Sequence, residues 1–83
     1  MSALQKLPNI GQVAEALLLD AGIDTPEKLI EIGSKEAFLR IRLNDQTACL
    51  HMLYGIEGAV EGIRDNDLSA EIKQDLKAFY KTL

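Results

Sequence analysis

Apolar residues recur along this chain at helical spacing in five stretches, and no stretch shows sustained strand-like alternation. The richest runs from Thr47 to Ile63. Within it, Cys49, Met52, Leu53, Ile56, Val60 and Ile63 follow the i, i+3, i+4, i+7 rhythm of one helical face, and Ala48, Leu50 and Tyr54 add a second stripe. A helix apolar over most of its circumference belongs at the centre of a domain rather than on its surface. Gly55, Gly58 and Gly62 lower its intrinsic propensity, by about 1 kcal/mol per Gly relative to Ala in an exposed interior. Together with Ala59 they leave flat places where neighbouring helices can approach closely. The pattern predicts a buried central helix with short helices packed against it.

The remaining elements follow from their start and stop signals. Residues 1–8 offer Leu4 and Leu7 as anchors for a short helix or an extended arm, and Pro8 then disfavours helix at Leu7. From Gln12 a helix places Ile10, Val13, Ala14, Leu17, Leu18 and Ala21 on one face. Gly22 is its left-handed stop, with Ile23 supplying the accompanying apolar contact. Thr25-Pro26-Glu27 starts the next helix as N-cap, N1 proline and first-turn acid. It carries Leu29, Ile30 and Ile32 and stops at Gly33. Ser34 is expected to cap a further helix that buries Ala37, Phe38 and Ile41. Asp45 or Thr47 is expected to cap the central one. After the polar turn Arg64–Asp67, Ser69 caps the last helix, whose stripe is Leu68, Ile72, Leu76, Phe79 or Tyr80, and Leu83. The expectation is an all-α, compact bundle of about five short helices forming one domain over residues 1–83.

Composition narrows the classes of function. The chain has 83 residues, 47% of them hydrophobic and 27% charged, enough for one mainly aliphatic core under a polar surface. A net charge of −4 gives no general attraction to nucleic acid or to an anionic membrane. One cysteine excludes an internal disulfide and fits a reducing cytosol. Residues 1–10 lack the continuous apolar run of a leader, and no segment approaches bilayer-spanning length. A cytoplasmic domain without membrane contact is expected.

Candidate chemistry is sparse. Glu57 and Glu61 lie one turn apart, with Asp65 and Asp67 beyond; paired carboxylates can hold a cation or divide acid and base roles. With no His or Cys on that face, they read better as the wet side of the central helix. Cys49 and His51, two apart, fall on different helical faces, so Cys49 reads as a core thiol and a zinc site fails on ligand count. There is no phosphate loop, dinucleotide fingerprint or serine elbow. No catalytic residue, metal site or cofactor is expected. Lys73, Lys77 and Lys81 form one stripe on the last helix, and Lys35, Arg40 and Arg42 a second basic group. Both read as solvated faces that could also meet phosphates or an acidic partner.

The most informative local motif is Leu7-Pro8-Asn9-Ile10-Gly11 leading into Gln12-Val13-Ala14. It resembles a helix-hairpin-helix element, whose tight turn and following helix N-terminus can seat a DNA phosphate. Asn9 stands where that motif has its first glycine, and Gln12-Val13 where its DNA-binding members carry a basic residue. Two readings therefore stand: a packing corner, or a weak phosphate seat formed by Asn9, Ile10, Gly11 and Gln12 with Lys73, Lys77 and Lys81 in support.

Two motifs in order resemble the C-terminal domain family of TfoX (Sxy), the bacterial competence regulators. The first is LPNIG with its Ala-Leu-rich helix, then Gly22-Ile23 and Thr25-x-x-x-Leu29. The second, more specific, is Leu53-Tyr54-x-x-Glu57-Gly58-Ala59, then Gly62 and Asn66-Asp67-Leu68. The resemblance spans residues 7 to about 76 and implies a small helical domain related to helix-hairpin-helix and SAM-like folds. In the full regulators this domain follows an α/β domain and acts in transcription of DNA-uptake genes. With Met1 six residues ahead of the first motif, a stand-alone member is expected. Asp65 occupies a position where the family favours an aromatic. The expected function is a non-enzymatic regulatory domain acting through an unidentified protein partner or self-association. The alternative is weak, sequence-independent DNA binding through the hairpin.

Overall fold

A computed structural model describes residues 3–83; Met1 and Ser2, part of the arm expected over residues 1–8, lie outside the described residues. Those residues form four α-helices, α1 (Gln12–Asp20), α2 (Pro26–Asn44), α3 (Leu50–Glu61) and α4 (Ala70–Lys81). Two 3-10 turns, Ala3–Lys6 and Asp65–Asp67, accompany them, and no strand occurs among the described residues. The all-α expectation holds. The two helices expected on either side of Gly33 form one element, α2, broken at Gly33, whose φ of 83° and ψ of 166° lie outside the helical region.

The helix α3 packs against α2, α4 and the second 3-10 turn, as a central helix should. Its Leu53, Ile56 and Ala59 are buried against a core that includes Leu18, Leu29, Phe38, Ile41 and Leu76. Leu4, at the first 3-10 turn, is fully buried there too, so the chain before α1 is anchored to the core at that residue. Val13 departs from the expected apolar face of α1: it is 73% exposed. Ile30 on α2 is also exposed, while Leu29 beside it is buried.

Stop and start chemistry is mostly as the sequence indicates. The helix α1 ends through Ala21 and left-handed Gly22 (φ 82°), and the Ile23 N–H returns to the Leu18 carbonyl at 2.9 Å. Thr25 and Ser69 accept from the N–H groups of Lys28 and Ile72, three residues on. Two expected caps differ. Asp45 instead accepts from Thr47 N–H and hydroxyl, a local turn that delays the helix and leaves Cys49 as its N-cap. Those Thr47 bonds, side chain first, hold the Asp45 carboxyl below its ordinary range. Ser34 is buried, and its hydroxyl donates to Glu57 Oε1 across to α3. No helix among the described residues is long and apolar enough to cross a membrane.

Candidate docking surface at the hairpin

The Asn9 side chain ties the Leu7–Gln12 hairpin to the middle of α3 and to the turn that follows it. Asn9 takes φ 67°, a left-handed conformation that Asn tolerates better than most residues. In that pose its Nδ2 donates to the carbonyls of Gly55 at 3.2 Å and Ile63 at 3.1 Å, and its Oδ1 accepts from the Asp65 N–H at 3.3 Å. The carboxamide thereby joins a carbonyl in the middle of α3 to two backbone groups beyond its C-terminus. Left-handed Gly62 (φ 78°) lets the chain turn back to bring them there. Asp65, in the aromatic's place, contributes this backbone N–H, and its Oδ2 lies 3.6 Å from His51 Nε2.

Beside this anchor lies a concavity of about 470 Å³ between the start of α1 and the start of α3. Ile10, Val13, Ala14, Met52 and Ile56 supply its apolar walls, and Cys49, His51 and Gln12 also line it. The helix α3 begins at Leu50, so Cys49 sits at its exposed N-cap. This corrects the core-thiol expectation. His51 is 82% exposed and lines the same concavity as Cys49, so the two are not separated as a longer helix would separate them. The residues Cys49, His51, Val13 and Met52 escaped sequence reasoning as surface neighbours. The signal available was Asp45-Gln46-Thr47, whose Asx-type turn moves the helix start downstream.

The proposed phosphate seat divides between two places. Asn9, Ile10, Gly11 and Gln12 all line the concavity, with Ile10 buried and the Asn9 carboxamide committed to α3. Lys73, Lys77 and Lys81 lie on α4, and none of them lines it. Lys77 and Lys81 are exposed, and Lys73 is half-buried. In the second basic group, Lys35 pairs with Asp75 at 2.7 Å and Arg40 with Glu36 at 3.1 Å, while Arg42 donates to the Ala48 carbonyl at 3.0 Å.

The Glu57 and Glu61 pair is not simply a wet face. Glu57 is half-buried and accepts the Ser34 hydroxyl. A hydrogen bond to Glu57, then desolvation and the repulsion between the two charges, raise the Glu61 carboxyl to about 7. Among the described residues, no group of three or more His, Cys, Asp or Glu is placed to hold a metal ion.

Comparison with known proteins gives one family. Residues 1–80 match the model of the TfoX C-terminal domain. The chain is 31% identical over 80 residues to Protein Sxy of Escherichia coli (strain K12), covering 96% of this chain and 38% of Sxy. It therefore spans well under half of that relative. Two crystal structures of proteins from Listeria monocytogenes are each 52% identical to it. One, an uncharacterized protein in a triclinic form, has a TM-score of 0.94 with 95% of this chain and 90% of that chain covered. The other, a protein of unknown function in a tetragonal form, has a TM-score of 0.93 with 95% and 96% covered. The sequence match and the shared helical fold agree: this chain belongs to the TfoX C-terminal domain family.

Proposed function

We propose that residues 1–83 act as one non-enzymatic interaction domain in a regulatory setting of the bacterial cytoplasm, through a protein partner or self-association. The observation that carries this reading is the apolar concavity at the hairpin, which no Lys or Arg lines. A surface built for a nucleic-acid backbone would set cations around the hairpin. Instead the hairpin's polar side chain is turned inward to α3. The regulatory setting comes from the resemblance to the TfoX (Sxy) regulators.

Weak DNA binding is the second reading, favoured by the start of α1, where Gly11 offers no side-chain cap to the first N–H groups. Affinity capture from the native bacterium, reconstitution with the purified partner and sedimentation test the first reading. Fluorescence anisotropy with labelled duplex and single-stranded DNA at low and moderate salt tests the second. A defined complex or concentration-dependent self-association, without DNA binding even at low salt, is the expected result. A monomer with no partner that binds DNA with steep salt dependence would replace the first reading by the second.

A further inference from the structure

We draw no further inference here: the strongest candidate, the cavity of about 400 Å³ at the Gly33 break in α2, is lined by polar side chains that already partner one another, Ser34 with Glu57 and Lys35 with Asp75, so that no group in it points to a ligand.

Discussion

The Asn9 carboxamide occupies the space that a side chain at Gly58 would need. A Cβ built on Gly58 would lie 2.5 Å from Asn9 Nδ2 and 2.7 Å from the Ile63 carbonyl oxygen. The first contact could shift with a side chain, but the second is backbone held by the Ile63 N–H bond to the Gly58 carbonyl. Gly58→Ala is therefore expected to destabilise despite gaining about 1 kcal/mol of helix propensity. Overpacking and a displaced hairpin should leave a net loss of about 2 kcal/mol, read by urea unfolding. A neutral or stabilised variant would show that the hairpin does not depend on this close approach.

Asn9 itself carries two separable contributions, the left-handed backbone and the three hydrogen bonds. Asn9→Gly keeps the first and loses the second, whereas Asn9→Ala loses both. The alanine variant should be the less stable of the two by about 1 kcal/mol, the cost of a Cβ at positive φ. Both should fall below the wild type by roughly 1–3 kcal/mol for backbone groups left without the carboxamide. Equal stability of the two variants would mean that the hairpin relaxes to ordinary φ.

The helices were legible because their signals are local. Thr25-Pro26, Gly22-Ile23 and Ser69 act within one turn, and the structure places each as the sequence indicates. The surface was less legible because it depends on where α3 begins. Assigning the start to Asp45 or Thr47 turned Cys49 inward, whereas the Asp45–Thr47 turn moves the first helical residue to Leu50 and leaves the thiol outside. Gly55 and Gly58 signalled close approach, but periodicity could not say that the neighbour is Asn9, 46 residues from Gly55 in the chain, rather than a helix. Gly62 serves by its positive φ, not by proximity. Ser34 looked like a cap because Gly33 precedes it, and only tertiary packing brings it against Glu57.

That Ser34–Glu57 hydrogen bond ties the break in α2 to the central helix. Ser34 is buried, and its partner is a carboxylate, so removing the hydroxyl loses a charge-assisted bond. Ser34→Ala should cost about 1.5–3 kcal/mol. In a double-mutant cycle with Glu57→Ala, the coupling should be clearly positive. Additive losses would mean that the two residues act independently.

Arg42 closes the other side of the bundle. Its Nη1 donates to the Ala48 carbonyl at 3.0 Å, and its guanidinium lies 5.6 Å from the Tyr80 ring centre and 6.0 Å from that of Phe38. The planar group thus links the turn before α3 to α2 and α4. Lysine cannot reproduce both the directed bond and the stacking. Arg42→Lys is expected to lose about 1 kcal/mol and Arg42→Ala about 2. Thermal unfolding ranks them, and a lysine variant as stable as wild type would reduce Arg42 to a surface charge.

Glu61 gives the fold a predictable response to pH. Its hydrogen bond to Glu57, with desolvation and repulsion adding to it, raises the folded carboxyl from 4.5 to about 7. Between those values the folded state holds a proton that the unfolded chain has released. Stability should therefore be highest at the acidic end of that window, fall as pH rises through it, and level off above about 7. The side chain is exposed, so solvent screening keeps the change small. Glu61→Gln offers a neutral donor to Glu57 at every pH. It should flatten this part of the profile and exceed the wild type in stability at pH about 8, above the raised Glu61 value. Urea midpoints at pH about 5 and about 8 decide it. An equal slope in the glutamine variant would assign the pH dependence to other groups and leave the Glu57–Glu61 pair without a shared proton.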